Sequence, residues 1–267
     1  MLLNPPEFNR HEGDPPASAA EVSGARPVIS DGSLEGLKWL ALVLMTLDHI
    51  NKYLLHGQVG WMFAAGRVVM PIFSFVLAYN LARPERRATV VSGDGMADGQ
   101  VGQSTVYAGA ARRTAWRLAL FGLCATPISW ALMGPWPLNV LFMLAIAAGV
   151  IALLQRGARK TAWALGLFSG FWVEFWWPAI GATVAAWHFC RTGSRRSAMV
   201  WLACLWSLTL INGNLWALAA VPLIAMASRL SMSMPRAKWW FYAYYPAHLL
   251  VLLLAMWVAP RVEGMLG

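Results

Sequence analysis

Apolar residues run along this chain in long, closely spaced blocks, at about 37–55, 59–82, 115–133, 138–155, 161–173, 175–190, 197–211, 213–229 and 239–259. Blocks so many and so long exceed what a soluble core requires, and several approach the roughly 20 residues an α-helix needs to cross a bilayer. The pattern predicts an all-α fold, a polytopic transmembrane helical bundle of about eight or nine helices. The fifth block is too short to cross ~30 Å of hydrocarbon at ~1.5 Å per residue, which predicts a re-entrant piece or a helix packed inside the bundle.

Two segments break the pattern. Residues 1–35 hold five prolines and four glutamates without a long apolar stretch, which predicts a disordered arm. The arm also lacks the basic start and short apolar core of a cleaved signal peptide, so the first block reads as a permanent helix. Residues 92–103, rich in Gly, Ser, Asp and Gln, read as a flexible loop. The expected organisation is therefore an arm at 1–35, one transmembrane domain at 36–260 and a short tail at 261–267.

Composition strengthens this reading: 58% of the residues are hydrophobic and 12% charged, against about 25% charged in an ordinary soluble domain. Many of the sixteen tryptophans, including Trp39, Trp61, Trp136, Trp172, Trp239 and Trp240, lie near block ends, where an indole keeps its N–H in the headgroup region. The net charge of +9 would suggest nucleic acid in a soluble protein, but the cations are confined to a few connections. Arg83, Arg86, Arg87, Arg112, Arg113 and Arg117 flank one; Arg156, Arg159 and Lys160, then Arg191, Arg195 and Arg196, then Arg229, Arg236 and Lys238 mark the others. By the positive-inside rule these connections and the amino terminus are expected to be cytoplasmic. Cys124, Cys190 and Cys204 show neither a disulfide framework nor metal-ligand spacing and read as small buried thiols.

Ionisable groups inside spans cost ~2.5–3.5 kcal/mol on insertion scales, so each needs a partner or a purpose. Asp48 and His49 lie near the outer end of the first block. Lys38 precedes His49 by eleven residues, which returns almost to the same helix face, and Lys52 stands one turn beyond Asp48. Arg67 falls ~12 Å inside the second block and His49 ~9 Å inside the outer end of the first, at similar depth. A short connection makes the two helices antiparallel neighbours, so Asp48, His49 and Arg67 are expected to converge in one polar pocket toward the outer leaflet. An Asp48–Arg67 ion pair with no further role is the plainer alternative. Asn139, Glu174, Asn212 and Asn214 fall at the same level, where cap and turn roles compete with site roles. In the last block Tyr244 and His248 share a face, with Pro246 between them removing a backbone donor.

The stretch Leu42-Val-Leu-Met-Thr-Leu-Asp-His-Ile-Asn-Lys52, then Trp61-Met-Phe-Ala-Ala-Gly-Arg67, Pro71-Ile-Phe and Asn80-Leu-Ala-Arg83, closely resembles the TraX family of conjugative plasmids, the F-pilin acetylases. Leu138-Asn-Val-Leu-Phe142 and Phe241-Tyr-Ala-Tyr-Tyr-Pro-Ala-His248 add to the likeness, and a Trb-type branch of plasmid transfer proteins is similar. Lys38 and His49 also resemble a basic residue-(ten residues)-His pattern of the wider membrane acyltransferase-3 group. The resemblance implies an inner-membrane enzyme that matures pilin by acetylating its amino terminus, with acetyl-CoA as donor and with pilin, the bilayer and the conjugation machinery as partners. Some related pilins are instead closed head to tail, which needs no CoA. A non-catalytic pilin chaperone and a transporter are the readings from other classes, the transporter disfavoured by the lack of an internal repeat.

Amide formation needs a base and an oxyanion donor. The expected catalytic set is His49 as base, Asp48 orienting it, Arg67 stabilising charge, and His248 as reserve base. Lys38, Asn139, Glu174, Asn212 and Tyr244 are the polar groups expected to meet substrate, and Arg83, Arg112 and Arg113 are expected to hold the CoA phosphates.

Overall fold

The computed structural model describes residues 26–91, 100–237 and 239–266. The expectations for residues 1–25 of the arm and for most of the 92–103 loop lie outside the described residues. Within them the chain is helical, with one isolated parallel bridge between Leu138 and Val173.

The helix α1 spans Asp31–Tyr53 and begins six residues before the first apolar block. Its early start has a local cause: the Ser30 hydroxyl accepts the Ser33 N–H at 3.1 Å, and Asp31 faces the positive end of the helix dipole. Tyr79 anchors the approach, its hydroxyl accepting from Ile29 N–H and donating to Ile29 C=O.

The second block folds as two helices, α2 over Gly60–Gly66 and α3 over Val69–Val91. Pro71 explains the break. Proline has no N–H for the Arg67 carbonyl four residues back, and its ring crowds that carbonyl, so it is accommodated only in the first turn of a new helix. The interruption sets Gly66 and Arg67 against the C-terminal half of α1.

The chain continues as α4 (Gln100–Met133), α5 (Val140–Gln155), α6 (Arg159–Ser169), α7 (Trp176–Thr192), α8 (Arg195–Ser207), α9 (Thr209–Asn212), a 3-10 turn at Trp216–Ala219, α10 (Ala220–Arg229) and α11 (Trp240–Leu266). The helix α11 runs on past residue 260, through most of the expected tail. The short fifth block is indeed a short helix, α6, but it is not inside the bundle. It leans on α5 with Trp163, Leu167 and Phe168 exposed.

Among the described residues, three helical stretches are long and apolar enough to cross a membrane: Gly60–Arg83, Tyr107–Met133 and Trp240–Val258. The outer faces of α4 and α11, with Trp116, Leu120, Leu123, Val251, Leu254 and Trp257 exposed, would be an aggregating surface in water and are an ordinary one in lipid. The protein is a transmembrane helical bundle.

Inside it, α3 and α7 cross through the centre, where Phe75, Ile72, Val173 and Thr183 are fully buried. An extended segment from Leu230 to Arg236 closes one end of the bundle. The Ser33 hydroxyl donates to Leu230 C=O at 2.5 Å, and Gly32 lies so close that a Cβ there would stand 1.8 Å from the Met232 carbonyl oxygen. Gly32→Ala therefore has to push the backbone of this segment away, and it is expected to destabilise the fold by about 1–3 kcal/mol. Thermal unfolding in detergent, with Gly60→Ala as the control in open space, measures the cost.

Candidate active site

A cavity of about 480 Å³ runs beside α1 for almost its whole length. From α1 it is lined by Asp31, Leu34, Glu35, Lys38, Leu42, Met45, Asp48, His49 and Lys52, a spacing of three and four that keeps one helical face on the cavity. Lys38 and His49 are therefore on one stripe. The cavity divides into a basic end, an apolar middle and a polar end.

At the basic end, Arg83 of α3 and Arg236 of the extended segment both pair with the Asp31 carboxylate, and Arg117 of α4 lies over the Trp239 ring. The hydrogen bond from Arg83, joined by that from Arg236, holds the Asp31 carboxyl below its usual range and keeps it ionised. Two guanidiniums share one carboxylate while Arg117 adds another cation, so this end is net positive. Lys38 sits further in, bonded to Glu35 at 2.5 Å and lying 4.3 Å from the centre of the Phe241 ring. The middle is lined by apolar side chains that include Met70, Phe73, Leu77, Leu118, Leu144 and Phe241.

The polar end is built where the α2–α3 break meets α1. Arg67 Nη2 donates to Asp48 Oδ2 at 2.8 Å, and the guanidinium stands 4.3 Å from the centre of the Phe63 ring. Only glycine at 66 allows this approach, because a Cβ there would lie 2.2 Å from Asp48 Cγ. Arg67 Nε is buried and has no acceptor, so one guanidinium N–H is left over after Asp48 has been satisfied.

His49 is held by α11. Its Nδ1 lies 2.7 Å from His248 Nε2, with the rings parallel at 2° and 5.0 Å between centroids. His248 Nδ1 lies 3.0 Å from the Tyr244 carbonyl oxygen. A carbonyl can only accept, so His248 carries its proton on Nδ1, and for two neutral rings Nε2 must then accept from His49 Nδ1–H. The His49 Nε2 lone pair is left bare beside the cavity. Tyr244 stacks on His248 at 5.2 Å, and its hydroxyl shares a 2.7 Å hydrogen bond with Thr46, which locks α11 to α1 on both sides of the pair.

The structure thus lines one end of one cavity with Asp48, His49 and Arg67, places His248 against His49, and corrects several expectations. Asp48 does not orient His49; its carboxylate belongs to Arg67, and His248 does the orienting. Lys52 does not pair with Asp48 either, lying instead over the Tyr53 ring at 5.1 Å. Asn139 does not line the cavity: it caps α5 by accepting from Leu141 N–H and donates to Gly122 C=O. Asn212 ends α9, and Asn214 caps the following turn, both outside the cavity lining. Tyr244 supports His248 and does not line the cavity. Glu174 does line it. At the basic end Arg83 is in place, but Arg112 and Arg113 are exposed on the outside of α4 and reach no part of the lining. Arg117, one helical turn past Arg113, and Arg236 take their place.

An α-helical membrane bundle with a bare imidazole, an underused guanidinium and a basic opening joined by one apolar passage is the class of protein that fold and site define. The chain matches the family model described as TraX protein over residues 33–256, and it belongs to the TraX family. It is 28% identical to Protein TraX of Escherichia coli over 248 residues, covering 84% of this chain and 88% of that one. To Protein TraX of Escherichia coli strain K12 it is 48% identical over 56 residues, 21% of this chain and 22% of that one. No solved structure matches. Family membership ties the protein to plasmid conjugation and to a membrane.

Proposed function

We propose that the protein is an inner-membrane acyltransferase of a conjugative plasmid, which acetylates the amino terminus of the pilin with acetyl-CoA as donor. The observation that carries this reading is the continuity of the cavity: the same α1 face lines a net-positive end and a polar end with a free base. Asp31 and His49 are eighteen residues apart, ~27 Å along the helix at ~1.5 Å per residue. The basic end suits phosphates, the apolar middle suits a long uncharged arm, and the polar end suits a reacting carbonyl. Bound acetyl-CoA supplies the acetyl group as an activated thioester.

The residues divide the remaining work. Arg83, Arg117 and Arg236 hold the phosphates, with Asp31 giving up its share of two guanidiniums. His49 Nε2 accepts the proton that the attacking amine sheds as the C–N bond forms, the imidazolium is stabilised through Nδ1–H by His248, and the proton passes to the CoA thiolate released when the thioester C–S bond breaks. Arg67 Nε–H donates to the oxygen on which negative charge develops, while Asp48 fixes the guanidinium. With the basic connections cytoplasmic, the polar end faces the periplasmic leaflet, where a processed pilin presents its amino terminus.

Purified protein in nanodiscs, given acetyl-CoA and pilin, tests the donor site. Arg83→Gln and Arg117→Gln are each expected to raise KM for acetyl-CoA by roughly tenfold with little change in kcat, as loss of one charge-assisted phosphate contact predicts. An unchanged KM in both variants contradicts entry of CoA at this end.

A further inference from the structure

At the polar end one carboxyl, pushed up to about 7 by desolvation, has no ion-pair partner among the described residues. Glu174 lines the cavity from the connection between α6 and α7, and no described cation stands within ion-pair distance of it. Its carboxylate accepts a hydrogen bond from the Val140 N–H at the start of α5, and it is within electrostatic reach of Asp48, Arg67 and Lys52. Of these cations, Lys52 acts on Glu174 the more strongly but lies over the Tyr53 ring, and Arg67 is already committed to Asp48. The buried Tyr53 hydroxyl, which also feels Glu174 and Asp48, has no hydrogen-bond partner.

The backbone goes to some trouble to put this carboxylate there. Leu138 N–H donates to Trp172 C=O at 2.7 Å and Glu174 N–H to Leu138 C=O at 3.0 Å, so the bridge stitches two inter-helix connections together. The two residues that follow, Phe175 and Trp176, have φ of 60° and 51°, left-handed conformations that non-glycine residues rarely adopt. Each costs on the order of 1–3 kcal/mol, and such strain persists where the surroundings over-determine a functional position. A carboxyl fixed by strained backbone, facing the cavity with no ion-pair partner among the described residues, is a counter-charge for an arriving cation.

We infer that Glu174, with the Tyr53 hydroxyl as a second acceptor, binds the acceptor substrate as a primary ammonium and holds it beside His49 before the proton is lost. Glu174 is a specificity-determining residue on this account: it makes the site select a free, positively charged amino terminus over a blocked one. The inference rests on the acyl-transfer reading for the acceptor's chemistry, yet amine recognition is measurable without any transfer.

The test is binding of pilin to the full-length protein in nanodiscs, comparing pilin with a free amino terminus and the same pilin N-formylated. Wild type is expected to bind the free form roughly tenfold or more tighter, as loss of a charge-assisted contact inside a membrane cavity predicts. Glu174→Gln should bind both forms equally, and Glu174→Asp should keep part of the preference, which a merely structural role would not do. A Glu174→Gln protein that still prefers the free amine by the wild-type margin overturns the inference, as does a wild type without preference. Wild type that selects the amine through Glu174 but transfers no acetyl group leaves this inference standing and removes the acetylation reading instead.

Discussion

His49→Ala is expected to slow acetyl transfer to the pilin by about 10²–10⁴, the range that a positioned general base contributes. The expectation follows from the tautomer chain. Tyr244 C=O takes the His248 Nδ1 proton, His248 Nε2 takes the His49 Nδ1 proton, and the lone pair this pair leaves unshared is His49 Nε2, beside the cavity. Alanine removes it, and the second imidazole does not replace it, because His248 is turned toward His49 and does not line the cavity. His248→Phe should cost less, since it leaves the base in place while removing its orientation and the support of its positive form. KM for acetyl-CoA should hold in both variants, the basic end being far along α1. Single-turnover rates in nanodiscs separate these outcomes; equal losses in both variants would mean that the pair acts as one unit.

Gly66→Ala is expected to cost nearly as much as removing Arg67 itself, although it adds only a methyl group to a helix end. That methyl would stand 2.2 Å from Asp48 Cγ and 2.6 Å from Oδ1, so the carboxylate must leave and the Asp48–Arg67 bond must break. The loss has two parts. The guanidinium loses the contact that aims its free Nε–H, and removal of an oxyanion donor costs about 10²–10³ in kcat. The displaced carboxylate is also left unpaired in a partly buried place, a loss of about 3–5 kcal/mol for a buried pair, discounted here because both side chains keep some exposure, 17% and 13%. Arg67→Met should show the same fall in kcat. The double variant Gly66→Ala with Arg67→Met should fall little further, since both act on one bond. Additive losses would mean that Gly66 serves something other than the approach of Asp48.

Much of the site is legible in the sequence because it depends on one helix and its immediate neighbour. The period of α1 places Lys38 and His49 on one stripe, and depth counting brings Arg67 level with Asp48 across a short connection. The pairing of His49 with His248 spans 199 residues and depends on how α11 lies against α1, which no local pattern encodes. Asp48 was therefore the nearest available partner for His49, and the structure gives it to Arg67.

The arginines at the basic end are hard to choose for a related reason: Arg113 and Arg117 are one turn apart on the same face of α4, and only the position of α4 along its axis decides which of them reaches the cavity. Other signals were present and outweighed. Asn139 directly precedes an apolar helix, which is the signature of a cap, and Pro71 marks the break that splits the second block into two helices. The strained backbone after Glu174 has no signature at all, since Phe175 and Trp176 are among the residues least suited to positive φ.

The central claim is that His49 drives acylation of the pilin amine, and intact mass spectrometry of mature pilin from cells making wild-type or His49→Ala protein tests it most directly. The account predicts a gain of one acetyl group with wild type and none with His49→Ala. A loss of one water with wild type would show head-to-tail closure, and identical masses from the two strains would contradict a catalytic His49 and leave a chaperone.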